Sequence, residues 1–222
     1  MNRVAVIIPA YNAGATIAEL IERTSRFVCR EGIVVIDDGS CDQTLEMAGR
    51  AGAVILRHET NRGKGEALKT GFVYVRNRDY QAVITLDADL QHDPESIPDL
   101  VRRADGFSGI IIGTRRRDLK IMPFGRWLSN NLTSAIVSVL AGQTIRDSQS
   151  GYRLITTQVL KSVRLESRKY DLESEILIKA KRKGFEIAEV PIETIYAGGR
   201  SFINPLADTV RFIRLMWRSL WW

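Results

Sequence analysis

Three acidic clusters and one glycine-lysine turn carry most of the chemistry open to this chain. Asp87 and Asp89 follow the apolar run Ala82-Val83-Ile84-Thr85-Leu86. Two carboxylates one residue apart at a strand end offer oxygen ligands to a hard divalent cation, which commonly shares its shell with substrate phosphates. The competing role is a turn whose aspartates only accept backbone N–H bonds. Asp37-Asp38-Gly39-Ser40 closes an earlier apolar run. It can cap a helix, or present a carboxylate to a base or ribose as acidic residues do in nucleotide-binding α/β sheets. Asn61-Arg62-Gly63-Lys64-Gly65 precedes a helical segment and either meets phosphate through free N–H groups or only starts the helix. It lacks Walker spacing, and the first strand is followed by Pro9-Ala10-Tyr11-Asn12-Ala13-Gly14, not Gly-x-Gly-x-x-Gly. A dinucleotide cofactor is therefore disfavoured. Asp147-Ser148-Gln149-Ser150-Gly151-Tyr152-Arg153 is dense in polar groups, and Asp147 either orients an acceptor or pairs with Arg153.

The elements that must position these residues alternate. Apolar, β-rich runs at 4–8, 33–36, 54–56, 82–86 and 109–112 predict strands. Helical spacing predicts helices at 15–27, 43–50, 64–75 and 94–103. Continuously apolar strands alternating with helices indicate an α/β fold, a mostly parallel sheet flanked by helices on both faces. The second half is less regular. It predicts a helix at 126–140, a strand at 152–155, a helix at 172–183, an extended segment at 185–195 bent or edged at Pro191, and a final helix at 205–222. No linker or repeat interrupts the chain.

Composition narrows the class. The chain has 222 residues, 45% hydrophobic and 26% charged, which suits one globular domain. Its net charge of +6 points to an anionic partner without choosing among nucleotide, nucleic acid and membrane surface. No nucleic-acid-binding motif accompanies the charge, so nucleic acid is not expected as a partner. Two cysteines and two histidines make a zinc centre a poor fit. The first residues hold too short an apolar run to read as a signal peptide. No stretch approaches the roughly 20 apolar residues of a spanning helix.

In this order the motifs resemble family-2 glycosyltransferases: Pro9-Ala10-Tyr11-Asn12, Asp37-Asp38-Gly39-Ser40, Gly63-Lys64-Gly65, Asp87-Ala88-Asp89-Leu90-Gln91, Gly113-Thr114-Arg115 and Asp147 through Arg153. The chain is most similar to the dolichyl-phosphate mannose synthase branch and its bacterial relatives, over residues 4–202. The resemblance implies a GT-A fold, with a nucleotide-sugar-binding half joined to an acceptor half. Carried over by position, it implies that Pro9, Tyr11, Ile36 and Asp38 receive the base and ribose, with Ala88 and Asp89 against ribose and diphosphate. It implies metal ligation by Asp89 and Gln91 with Asp87 close by, the cation being Mg or Mn. Arg115 matches a donor-contacting arginine. Asp147, Arg153 and Glu175 match polar positions around the reaction centre, and Arg126 a basic residue near the acceptor phosphate. Two positions depart from the family: Ala13 stands where glutamate is usual, which leaves the base open between GDP and UDP donors. Gly199-Arg200-Ser201-Phe202 replaces Gly-Glu-Ser-Lys, and Arg200 is the candidate for the lost positive charge.

The expected reaction is metal-dependent, inverting transfer of a sugar from a nucleotide-sugar donor to a polyprenyl (dolichyl- or undecaprenyl-type) phosphate. A sugar hydroxyl would need a general base, whereas a lipid phosphate is already an anionic nucleophile. The alternatives are transfer to a saccharide or other hydroxyl, and a non-catalytic nucleotide-sugar-binding scaffold. Residues 1–204 are expected to form the transferase domain and residues 205–222 an amphipathic helix. On a helical wheel Leu206, Val210, Ile213, Trp217 and Leu220 share one face and Arg211, Arg214 and Arg218 gather on another, followed by Trp221-Trp222. That pattern suits a helix in the headgroup region, although packing on the protein's own core gives the same amphipathicity. The expected location is cytoplasmic, peripheral on the cytoplasmic face of a membrane.

Overall fold

A computed structural model of the chain describes residues 3–115, 124–169, 171–193, 205–219 and 221–222. Its strands are β1 (Val4–Ala10), β2 (Ile33–Asp37), β3 (Val54–Arg57), β4 (Ala82–Thr85), β5 (Gly109–Arg115), β6 (Arg153–Thr156) and β7 (Glu186–Ile192). They form one sheet in the order β3-β2-β1-β4-β6-β5-β7. Every pairing is parallel except those of β6, which runs antiparallel to both β4 and β5. The sheet is thus mostly parallel, as expected, with one reversed strand that hydrophobic pattern could not orient: an apolar run reads the same in both directions.

The helices are α1 (Ile17–Thr24), α2 (Thr44–Arg50), α3 (Lys64–Arg76), α4 (Ile97–Arg103), α5 (Phe124–Ala141), α6 (Thr157–Ser162), α7 (Asp171–Arg182) and α8 (Pro205–Ser219). Side chains alternate across the central strands. Ile7, Val34, Ile36 and Ile112 join the core under α3, α5, α6 and α7. Val6, Ile8, Val35 and Ile111 join the opposite core with α1 and α4. Burial on both faces explains why these strands are apolar without interruption. The helix expected at 94–103 starts as a 3-10 turn, Pro94–Ser96, capped by the Asp93 side chain on Glu95 N–H at 3.0 Å. Helix α6, at six residues, is too short to show a period in the sequence. Pro191 stands on β7, an edge strand, where a missing N–H is tolerated. The outer part of the extended segment, residues 194–195, lies outside the described residues.

Helix α8 has two apolar faces. Leu215 and Ser219 are buried, and Phe212 and Trp222 pack against the core beside α7. Ile213, Trp217 and Trp221 stand exposed. Core packing and an apolar outer face, which the helical wheel set as alternatives, therefore coexist. Leu206, Val210, Arg211 and Leu220 lie outside the residues whose side chains are described. Arg214 is exposed, and Arg218 bonds Glu166. No helix among the described residues is long and apolar enough to cross a membrane.

Candidate active site

Strand register brings the acidic clusters to one edge of the sheet. Ala10 lies opposite Asp37, Ile7 opposite Thr85, and Arg153 opposite both Thr85 and Ile112. The loops after β1, β2, β4 and β5, together with the loop entering β6, therefore share the carboxyl edge where open α/β sheets bind ligands.

The first two loops are sewn together. Asn12 adopts φ 52°, its N–H donates to Ser40 Oγ at 3.0 Å, and its Oδ1 accepts from Cys41 N–H at 3.0 Å. Ala13 N–H donates to Thr44 Oγ1 at 2.7 Å. This holds Tyr11 at the mouth of the site, more than a third exposed. Pro9 is half-buried beside Ile36 in register. Ile36 itself is enclosed in the core under α3 and shows no side-chain surface to a ligand, because alternation turns it away from the mouth. Asp38 is buried, and its carboxylate accepts from Arg62 N–H at 3.0 Å and Gly63 N–H at 2.7 Å while His58 Nδ1 lies 2.7 Å away. Three of its roughly four lone-pair directions are thus occupied in ordering residues 58–63.

The Asp87-Ala88-Asp89 turn separates its two carboxylates. Leu90 takes φ 61°, a left-handed conformation costly for a side chain of this kind. Asp89 is exposed, and its Oδ1 accepts from Gln91 N–H at 3.1 Å. Ala88 accepts Thr16 Oγ1 on its carbonyl at 2.5 Å. Asp87 instead turns inward to Lys64, whose Nζ lies 2.6 Å from Asp87 Oδ1 and 2.8 Å from Glu173 Oε1. Burial pushes the Asp87 carboxyl up, and Lys64, His92 and Arg115 outweigh it, holding it at about 2. Burial likewise pushes Lys64 down, and the two acids more than reverse that. Asp87 N–H donates to Nδ1 of buried His92 at 3.3 Å, and burial holds that imidazole below its ordinary range against the pull of Asp87. Of the acidic pair, Asp89 is the one presented for a cation. A hard cation that takes one or two carboxylates and completes its shell with phosphate and water suits this arrangement. The described residues hold no cluster of three His, Cys, Asp or Glu side chains of the kind a protein-only metal cage would need.

The far wall is built on Asp147, fully buried at the base of the β6 entry loop. It does not pair with Arg153. Both its oxygens go to Arg115, with Nε at 2.8 Å and Nη2 at 2.9 Å, a bidentate pair that fixes the guanidinium plane. Arg153, 2% exposed, donates to the carbonyls of Ser150, Glu173 and Ser148 at 2.8, 2.5 and 2.7 Å. It sits as a buried brace behind the loop, facing three backbone carbonyls. Thr85 Oγ1 ties the loop to β4 through the Gly151 carbonyl at 2.6 Å, and Ser150 Oγ ties it to β5 through the Gly113 carbonyl at 2.6 Å. A Cβ on Gly151 would stand 2.7 Å from Asp87 Oδ2 and 3.0 Å from Lys64 Nζ, so a side chain there would have to displace the Asp87–Lys64 pair.

Glu175 is also placed elsewhere. Its carboxylate accepts from Glu166 N–H at 3.0 Å and Ser167 N–H at 2.7 Å and pairs with Lys179 at 2.6 Å. The acid that reaches the site from α7 is Glu173. Two residues on a helix differ by roughly 200°, so the two side chains cannot share a direction. Both acids sit in an almost wholly buried helical stretch, where each must be partnered, and helical spacing alone does not say by what. Nor is the Gly63-Lys64-Gly65 turn an open phosphate cradle. Glu66 N–H donates to the Arg168 carbonyl at 3.2 Å, and a Cβ on Gly65 would lie 2.4 Å from Arg168 C. The glycines admit the 166–169 loop over the start of α3. Arg126 falls in the first turn of α5, where no side chain is described, and Arg200 lies outside the described residues.

The model of Glycosyl transferase family 2 matches residues 5–164. An uncharacterized protein of Methanocaldococcus jannaschii is 36% identical over 88% of this chain and 82% of its own length. The UDP-N-acetylglucosamine–dolichyl-phosphate N-acetylglucosaminyltransferase of Methanococcus voltae is 32% identical over 86% of this chain and 85% of its own length. Among solved structures, glucosyl-3-phosphoglycerate synthase from Mycobacterium tuberculosis in complex with UDP superposes with a TM-score of 0.79. It covers 98% of this chain and 80% of the synthase chain at 22% identity, a likeness of fold. The same synthase with Mg2+ and UDP gives a TM-score of 0.75 at 23% identity, over 99% of this chain and 78% of the synthase chain.

Proposed function

Given that this chain belongs to glycosyl transferase family 2 and is a glycosyltransferase, we propose that it moves a sugar from a nucleotide-sugar donor to a polyprenyl phosphate, with inversion and with a divalent cation, at a membrane surface. The observation that carries the acceptor is the state of three acids among the described residues of the β6 entry loop and α7. Glu173 is held by Lys64, Asp147 by Arg115, and Glu175 is turned to the 166–167 backbone. A hydroxyl acceptor needs a carboxylate ready to take its proton, and these are committed to cations or N–H groups. A phosphate oxygen needs none. The relatives support the same reading: the Methanococcus voltae enzyme is named for dolichyl phosphate and a Mycolicibacterium smegmatis relative for polyprenol monophosphomannose synthesis.

In this reaction the acceptor phosphate oxygen bonds to the anomeric carbon as the bond from that carbon to the donor's β-phosphate oxygen breaks. The nucleoside diphosphate leaves with the electron pair, and attack from the opposite face inverts the centre. Arg115, fixed on Asp147, offers preorganised positive charge to the departing diphosphate. A Mg or Mn ion held by Asp89, with Gln91 beside it, supplies further charge to that diphosphate when bound. Tyr11 and Pro9 line the base and ribose side, with Asp38 behind them ordering residues 58–63, and the donor is a GDP- or UDP-sugar. Arg126 and Arg200 are assigned to the acceptor and donor phosphates by position alone. Residues 1–204 carry the transfer and residues 205–222 the membrane contact, the exposed Ile213, Trp217 and Trp221 entering the headgroup region of the cytoplasmic face.

The test is a screen of labelled nucleotide sugars with membrane lipid extract and Mg2+ or Mn2+. Label is expected in the organic phase, in an acid-labile product. Label found only in a water-soluble saccharide, or none from any donor, overturns the acceptor assignment. Asp89→Asn is expected to lower transfer at least about a hundredfold with an unchanged melting temperature.

A further inference from the structure

Eight large apolar side chains stand exposed among the described residues, and six of them belong to α5 and the α8 segment: Leu128, Leu132, Val139, Ile213, Trp217 and Trp221. Both helices pack on α7. Along α5 the exposed positions are Leu128, Ser129, Leu132, Ala135 and Val139, and the four apolar ones are spaced to lie on one helical face. From Trp127 to Ala141 the helix contains no Asp, Glu, Lys or Arg. Its other face is committed: Val137 and Ala141 enter the core, and Ser134 Oγ accepts from Ser148 N–H at 3.1 Å, next to Asp147. On the α8 segment Ile213, Trp217 and Trp221 recur every fourth residue, opposite the buried Leu215 and Ser219.

Exposed cations border these faces. Arg214 lies on α8, Arg182 and Lys183 at the end of α7, and Arg164 on the loop before it. Arg182 reaches the Trp222 carbonyl at 3.1 Å, and Lys179 Nζ sits 4.2 Å over the Trp222 ring. Glu166, the acid in their midst, is paired with Arg218 and Lys179.

We propose that the outer face of α5 joins that of α8 in a docking surface for an anionic phospholipid bilayer. The inference deepens the membrane-surface reading above and adds to it a second helix. A two-fold contact between copies would set the same patch against itself and oppose the cationic border with its own charge. An anionic headgroup layer neutralises that border, and tryptophan favours the depth at which it would sit. Docking through α5 has a consequence for the reaction. The inner face of this helix contacts the Asp147–Ser148 wall, so the bilayer lies about one helix diameter, roughly 10 Å, from the site that a lipid phosphate must enter.

The test is co-sedimentation of the full chain with extruded vesicles of phosphatidylcholine, with and without phosphatidylserine. Leu128→Ser/Leu132→Ser/Val139→Ser is expected to lower partitioning onto the phosphatidylserine vesicles about tenfold. Leu128→Ala/Leu132→Ala/Val139→Ala, which keeps helix propensity, should lower it in the same direction. The wild-type chain should bind phosphatidylcholine alone more weakly and be released by high salt. Transfer to a short-chain, water-soluble polyprenyl phosphate should be unaffected by either variant. If no transfer is seen in any protein, the acceptor reading fails while the vesicle result still stands. Wild-type partitioning by both α5 variants overturns the proposal. So does a wild-type dimer in sedimentation velocity that the α5 variants split without loss of vesicle binding.

Discussion

Lys64 sits between two acids that would otherwise repel, and removing it should be costly. Lys64→Met leaves Asp87 and Glu173 facing each other in a largely buried pocket. Breaking a buried ion pair by deleting one partner costs about 3 kcal/mol, and urea denaturation should show that loss. The double variant Lys64→Met/Glu173→Gln should recover part of it. The same cluster sets an acid response. Folded Asp87 is held at about 2, below its ordinary value, so the folded state binds that proton more weakly than the unfolded chain. The stabilisation is in full force above about pH 4 and disappears as pH falls through about 2. Asp87→Asn should flatten the fall in stability over that window, measured as urea midpoints against pH. An equally steep fall in the variant would show that other carboxylates govern it.

At the scale of elements, the loop at 166–169 decides how α3 begins. It is anchored by Glu175 from α7 and closes over Gly63 and Gly65, where a Cβ would meet Lys169 and Arg168. Gly65→Ala should push that loop off α3, shift Lys64, and cost about 1–3 kcal/mol as overpacking does. Gly106→Ala is the control. Gly106 has a positive φ but open space around it, so only backbone strain of about 1 kcal/mol should appear, with transfer unchanged. Glu175→Gln should lower the melting temperature while leaving the donor KM near wild type. A large rise in donor KM would return Glu175 to the site.

For the whole molecule, the proposed function assigns the nucleotide to the loops at the carboxyl edge of the sheet and the membrane to the α5–α7–α8 layer on one of its faces. Transfer to full-length polyprenyl phosphate in vesicles should fall with rising ionic strength more steeply than transfer to a short soluble acceptor, because screening weakens the cationic border before it weakens buried pairs. Equal salt dependence for the two acceptors would separate catalysis from membrane docking.

Much of this was legible from residues alone. Apolar runs and helical spacing located the strands and most helices, because period and residue type are local properties. The order of acidic clusters after those strands located the carboxyl edge, and the wheel found Ile213 and Trp217 on one face of the last helix. Partner choice was not legible. Asp147 takes Arg115 in place of Arg153, Glu173 reaches the site where Glu175 was expected, and Asp87 goes to Lys64 while Asp89 faces outward. The direction of β6 and the second apolar face of α8 belong to the same class. Each depends on which distant segments lie within a hydrogen bond's reach. That distance arises only when the sheet register and the packing of α7 bring residues 64, 87, 115, 147 and 173 together.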